Sequence, residues 1–243
     1  MQPGYRRRIL IEPSAHSVTA ELEDDYHRMV VTLSHEGGVI TKVESEMKRS
    51  PWTMCPGAMA QLAETFTGVA LAAVAKRGEK TQNCTHLHDL TIFGAAHAAE
   101  AAPVAYDILV TDAVEGVRDA TLARNGAPLL HWVLKGEAMA EMFTAPEALA
   151  GRQMGQLNEV IAQADKPMAE AMRILRWASI VAHGRMREMP AGMSATEFPA
   201  GSCYNFQAER APASFRRPGA DIDFSRPGAA PMADRDEAFA TTD

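Results

Sequence analysis

Residues 23–89 gather most of the groups in this chain that could do chemistry. They carry Glu23-Asp24-Asp25-Tyr26-His27, Arg49, Cys55 and Cys84-Thr85-His86-Leu87-His88-Asp89 on an alanine- and valine-rich background. Carboxylates, imidazoles, thiols and a guanidinium are the side chains that bind metals or move protons. Asp25 and His27 stand two apart in a segment that reads as a strand, so they share a face and could converge on a ligand or exchange a proton. The plainer reading is a hydrogen-bonded polar patch at a strand end, because an acid on an apolar face needs a compensating partner. Cys84 and His88 lie four apart at a helix start, and His86 and Asp89 lie three apart on the neighbouring face. A helix N-terminus lowers a thiol's pKa, and thiolate with neutral imidazole suits zinc or iron. Against that, Cys84 could be a small buried residue, with Thr85 and Asp89 serving the first turn. No C-x-x-C occurs anywhere. Cys55 sits in Pro51-Trp52-Thr53-Met54-Cys55-Pro56-Gly57 just before a helix, where free N–H groups favour an anion or a thiolate, or where a buried thiol fills a tight turn. Arg49 could clamp a carboxylate or phenolate with two parallel hydrogen bonds, or simply end a strand. His97 reads as structural or exposed, and His16, His35, His131 and His183 show no informative spacing.

The elements that must position these residues follow from periodicity. Short strands are expected over 8–11, 18–33 and 39–47, with Gly37-Gly38 as a turn. Period two places Asp25, His27, Met29, Val31 and Leu33 on one face of the middle strand. Residues 58–75 read as a helix, with Met59, Leu62, Phe66 and Val69 on one side and Gly68 weakening it. A second helix is expected from about Asn83-Cys84 to about Ala102, where Pro103 ends it. A second set of strands covers 104–111, 117–124 and 129–135, with Asn125-Gly126 as a hairpin turn. Residues 157–183 read as one helix capped by Gly184. From Met189 onward proline, glycine, alanine and arginine dominate, so 186–243 is expected to be an extended, partly disordered tail anchored at Cys203-Tyr204-Asn205-Phe206. The expected fold is α+β: two small antiparallel β-meanders packed with about three helices, as one compact domain over 1–185 whose site lies in 7–102, plus the tail.

Bulk properties narrow the function. With 243 residues the chain can bury a substantial core. Its net charge of −7 argues against a phosphate-backbone partner, so no nucleic acid is expected. After Arg6-Arg7-Arg8 the apolar run is only Ile9-Leu10-Ile11, too short for a secretory segment, and no stretch reaches the roughly 20 apolar residues of a membrane span. A cytoplasmic protein is expected, with its three cysteines kept as thiols. No dinucleotide or phosphate-loop fingerprint, no G-x-S-x-G elbow and no H-E-x-x-H is present.

Several motifs together resemble a known family. Leu22-Glu23-Asp24-Asp25-Tyr26-His27, Arg49-Ser50-Pro51-Trp52-Thr53-Met54-Cys55-Pro56-Gly57-Ala58, Cys84-Thr85-His86-Leu87-His88-Asp89-Leu90 and Leu175-Arg176-Trp177-Ala178 resemble the bacterial proteins grouped as domain of unknown function family 2889. Cys203-Tyr204-Asn205-Phe206 followed by Arg210 is similar too. The resemblance implies an accessory or catabolic role, loosely tied to the breakdown of aromatic and acyl compounds. At the level of architecture, the order Asp25 or His27, Cys55, Gly68, Cys84 resembles that of iron-sulfur cluster scaffold proteins, with an acid or imidazole in place of their first cysteine.

Two function classes follow. In the first, a cofactor-independent lyase acts on a small anionic or hydroxyaromatic compound and could expel a fragment such as formaldehyde. There Asp25 or His27 is the base, Arg49 orients the substrate, His86 or His88 moves the second proton, and Tyr26, Trp52, Cys55 and Asp89 line the substrate. In the second, Asp25, Cys55, Cys84 and His88 hold zinc or an iron-sulfur cluster. A small-molecule substrate is expected in the first class, without a membrane partner, and self-association into a homo-oligomer stays open.

Overall fold

The computed structural model describes residues 2–136 and 140–235. Its eight strands are β1 (Gly4–Pro13), β2 (Ser17–Asp24), β3 (Arg28–Glu36), β4 (Val39–Arg49), β5 (Val104–Thr111), β6 (Val117–Arg124), β7 (Ala127–Lys135) and β8 (Met142–Ala145). Its four α-helices are α1 (Ala58–Phe66), α2 (Thr85–His97), α3 (Leu157–Gln163) and α4 (Lys166–Ala182), supplemented by short 3-10 turns. Strands are hydrogen-bonded in the order β4-β3-β2-β1-β5-β6-β7-β8. The fold is α+β, as expected, with more strands than two small meanders would supply.

Internal contacts divide the chain into two units, and β1 contributes to both. One comprises Ile9–Val104 and Met189–Ile222. Here β2, β3 and β4 form an antiparallel meander in which Glu23 lies opposite Arg28 and Arg28 opposite Arg49. Alternation along β3 buries Met29, Val31 and Leu33, as a half-covered strand should. Charged Lys42, Glu44, Glu46 and Lys48 face outward on β4, a device that discourages edge-to-edge pairing. Helix α2 covers this meander, its Gly94 standing against Ala20, Leu33 and Val18. Residues around most of its circumference are buried, from His86 to His97. That is why its polar residues end up inside and why no single apolar stripe announces it.

The other unit comprises Met1–Arg8, Ala105–Glu188 and Asp223–Asp243. Strands β5 to β8 run antiparallel, and the β6–β7 hairpin turns at Asn125-Gly126 with φ of 50° and 77°, the left-handed pair that this dipeptide favours. Trp132 packs edge-on against Phe143 at 5.2 Å. Buried Arg118 ties β6 to Glu141 at 2.5 Å and to Ser179 O of α4 at 3.0 Å.

Several expectations are corrected. The strand expected over 18–33 is two strands, β2 and β3, joined at 25–27, so Asp25 and His27 lie in a connection and not on a strand face. The helix expected over 58–75 stops at Phe66, because Gly68 adopts φ 83°, and resumes as a 3-10 turn, Leu71–Lys76. The helix expected over 157–183 is broken at Ala164-Asp165, where Asp165 accepts from Met168 N and caps a new helix. β8 was not anticipated; four residues carry too little periodicity. Within 186–235 the chain is built of short turns with buried Ala195, Asn205, Ser214 and Arg216, and Met189–Ile222 packs with the first unit. Residues 236–243 of the expected tail lie outside the described residues.

Candidate functional site

Asp24 closes β2 and is fully buried. Its Oδ1 accepts from Tyr26 N and His27 N, each at 2.8 Å. This is the turn that a short acid makes with the backbone two and three residues on. The same oxygen lies 3.0 Å from His27 Nδ1. An ionised carboxylate only accepts, so Nδ1 carries the hydrogen and Nε2 is left as the basic nitrogen. His86, on the first turn of α2, stacks on His27 with ring centroids 3.8 Å apart and planes 28° apart. The donor atoms of Asp24, His27 and His86 all lie within 4.8 Å of one another, the one such group of three or more among the described residues. His27 and His86 are 8% and 9% exposed, against 0% for Asp24, so all three are buried and the imidazoles are slightly less so than the carboxylate.

Arg49 holds this connection in place. Its Nη1 donates to Asp25 O at 2.9 Å and Ala220 O at 3.0 Å. Its Nη2 donates to Asp24 O at 2.6 Å, His27 O at 3.3 Å and Glu23 Oε1 at 3.2 Å. A planar fork suits several carbonyls converging from one side. Ile222 N adds a 2.8 Å bond to Asp25 O. Next along β2, buried Glu21 meets Arg28 and Lys48, both at 3.1 Å, and Glu23 meets Arg49 at 3.2 Å, so these two buried glutamates each have a cation beside them, as burial demands.

The other expected residues are spread around this cluster. Asp25 is buried beside it, and its carbonyl serves Arg49. Tyr26 meets the His27 ring edge-on at 6.2 Å and carries the Arg216 guanidinium 5.6 Å from its ring. Asp89 is engaged by Lys80 Nζ at 2.6 Å. His88 is 1% exposed, lies edge-on to Phe66 at 5.1 Å, and has a hydrogen-bond partner at neither ring nitrogen. Trp52 and Cys55 belong to an apolar cluster with Ala195 and Ala211, and the Trp52 ring is flanked by Phe198 and Phe206. The helix start does not make Cys84 a thiolate: burial pushes its thiol up to about 12, and the backbone N–H groups of Leu87 and His86 only partly oppose this. Burial also pushes Cys55 well above the usual thiol range, with Cys84 and Cys203 adding to the effect.

Sequence reasoning missed Asp24 as the partner of His27, although an acid opening a turn three residues before a histidine was a usable signal. Arg216 and Cys203 were missed as neighbours of this region, and nothing in local spacing could have placed them. A cavity of about 740 Å³ in the other unit is lined by Arg6, Ile108, Leu122, Leu130 and His131 among others, and by none of the candidate residues.

These features define an α+β protein with a buried carboxylate–imidazole pair and a second imidazole stacked on it. Residues 11–100 match the family model described as "Protein of unknown function (DUF2889)". The matched segment holds Asp24, His27, Arg49, Cys55, Cys84, His86 and His88, while the 175–178 and 203–206 motifs lie outside it. No curated protein matches the chain. Among the described residues no helix is long and apolar enough to cross a membrane.

Proposed function

We propose that the chain is a cofactor-independent lyase-type enzyme for a small anionic or hydroxyaromatic compound. His27 is its base, Asp24 orients that base, and His86 is the acid. The observation that carries the reading is the 3.0 Å contact between Asp24 Oδ1 and His27 Nδ1 in a fully buried carboxylate. Such a carboxylate fixes the tautomer, aims Nε2 outward and stabilises the imidazolium that forms. With a CH2OH arm beside a hydroxyaromatic ring, His27 Nε2 takes the arm's hydroxyl proton. His86 first protonates the ring carbon that bears the arm, ortho or para to the phenolate, so that when the O–H electrons become the C=O bond of formaldehyde and the carbon–carbon bond breaks, its electron pair returns to the ring and restores the aromatic phenolate. Substrate becomes R–H plus CH2O, with no oxidant required. Breakdown of aromatic compounds is the metabolic setting for such a step. Arg49 acts here as a positioning residue, since its donors already serve the connection that carries His27.

A second reading rests on the 4.8 Å spacing of the same three donor sets, which could hold a divalent metal through Asp24, His27 and His86. It is less favoured because Asp24 Oδ1 already accepts three N–H groups. The test is formaldehyde release from a panel of phenols bearing hydroxymethyl arms, with and without a strong chelator. Chelator-resistant release that falls by about 10²–10⁴ in His27→Gln is expected. Release that needs added metal would transfer the site to the second reading. No release from any member removes the formaldehyde step.

A further inference from the structure

In the unit built on β5 to β8, the sheet departs from the usual division into a covered apolar face and a polar solvated one. Register puts Asp107 opposite Ala123, Leu109 opposite Thr121, and Thr121 opposite His131, so these side chains share one face of the sheet. Their neighbours in between, Ile108, Ala120, Leu122 and Trp132, are buried on the other face. The outward positions of β4 carry Lys42, Glu44, Glu46 and Lys48. Here, by contrast, Leu109 and Ala123 are half-buried and Leu129 is 37% exposed. Apolar side chains gathered in one hollow mark an interaction site.

That hollow is the cavity of about 740 Å³, a size suited to a small molecule. Its walls are Arg6 on β1, residues of β5, β6 and β7, and Pro231 of the terminal segment, all belonging to one unit. These four strands are neighbours in the sheet, so from Arg6 to His131 the cavity crosses three strand spacings, about 14 Å. The two ends differ in charge. Among the lining residues, Arg6 and Arg7 are cationic and Asp107 is the one acid, and Asp107 stands 3.5 Å from Arg8. Arg7 places its guanidinium over Trp177, 4.0 Å from the ring, which leaves Arg6 as the cation for a ligand. Bonds to Gly4 O and Gln2 O, at 3.2 and 2.8 Å, hold the Arg6 guanidinium in place. At the β7 end, Asp119 Oδ1 lies 2.6 Å from His131 Nε2, and this carboxylate disfavours an anion there.

We propose that this cavity binds an elongated carboxylate with an apolar body, of the medium-chain fatty acid type. Its head lies at Arg6 and its chain crosses Leu109, Ala123 and Leu129 towards β7. Charge-assisted bonds from the guanidinium hold the head, and removing the apolar face from water stabilises the rest. The site shares no residue with the acid–base cluster, and its test uses no turnover, so it stands or falls separately from the lyase reading.

Full-length protein is titrated calorimetrically with decanoate below its micelle concentration, and in parallel with decanol and butyrate. The expected result is saturable binding of one decanoate per chain. Decanol, without the charge, and butyrate, without most of the apolar body, should each bind at least about tenfold more weakly. Arg6→Gln, its fold checked by circular dichroism, should weaken decanoate about tenfold and leave decanol unchanged, a split that a merely structural change would not produce. Leu129→Asp, at a half-exposed position, should weaken both. No saturable binding of decanoate, equal binding of decanoate and decanol, or an Arg6→Gln titration identical to wild type overturns the site. So does sedimentation that shows a dimer which Leu129→Asp dissociates, since a second copy would then be the occupant of this face.

Discussion

Replacing Arg49 tests how the connection that carries His27 is held. The guanidinium reaches the carbonyls of Asp24 and Asp25 at 2.6 and 2.9 Å, Ala220 O at 3.0 Å, His27 O at 3.3 Å and the Glu23 carboxylate at 3.2 Å. Its side chain is only 14% exposed, so water cannot readily replace it. Hydrogen bonds from a charged donor contribute about 1.5–3 kcal/mol each and do not add in full within one cluster. Counting only the two shortest gives about 3–5 kcal/mol lost in Arg49→Met. Arg49→Lys keeps the charge but not the fork, and should lose roughly half of that. With a urea slope of about 1–3 kcal/mol per M, the Met variant's midpoint should fall by about 1–5 M. Hydrogen exchange adds a local readout, because Ile222 N donates to Asp25 O at 2.8 Å and should exchange faster in both variants. If both variants unfold within about 0.5 kcal/mol of wild type and Ile222 exchange is unchanged, Arg49 does not clamp this segment, and a substrate-orienting role regains its place.

Asp24→Ala leaves two backbone N–H groups buried without an acceptor, so chemical denaturation should show a loss of about 2–5 kcal/mol, while Asp24→Asn, which keeps an acceptor, loses less than half as much. His88→Leu removes two unbonded buried nitrogens and should raise the unfolding free energy by about 1–3 kcal/mol; a large loss instead would show that the imidazole has a partner in solution. Cys84, with its thiol at about 12 when folded against the ordinary value of 9.0, contributes stability that is complete below pH 9 and is lost as pH rises towards 12. The unfolded chain binds fewer protons across that window, so stability should fall by up to about 1.4 kcal/mol per pH unit from this thiol. Denaturation at stepped pH should show a shallower alkaline slope in Cys84→Ala; an equal slope would contradict the raised thiol.

Regular strands and the Asn125-Gly126 turn were legible because they rest on local rules. β4, β5, β6 and β7 fall close to where alternation places them. The breaks were harder to read. Period two runs through Asp25 and His27 without a flaw, and only the affinity of Asp24 for the backbone of Tyr26 and His27 ends the strand there. Asp165 is a comparable case, an acid whose capping role splits what periodicity joins. At the site, His27 and His86 were legible by residue type, but their stacking joins a β-connection to a helix start 59 positions on and has no local signature. The same holds for Cys203, which reaches the Cys55 and Cys84 segments through Tyr204. Helix α2 shows why residue type alone misleads: buried on most sides, it takes Cys84 into an environment that raises its thiol, where the helix start by itself would lower it.

The most direct test of the acid–base site is a double-mutant cycle on formaldehyde release, with Asp24→Asn, His27→Gln and the pair compared on one hydroxymethyl phenol. If Asp24 acts by orienting His27, the double variant should be no slower than His27→Gln alone, with each single change already well below wild type. Rate losses that multiply in the double variant, or undiminished turnover in His27→Gln with the fold intact, would contradict a shared Asp24–His27 base.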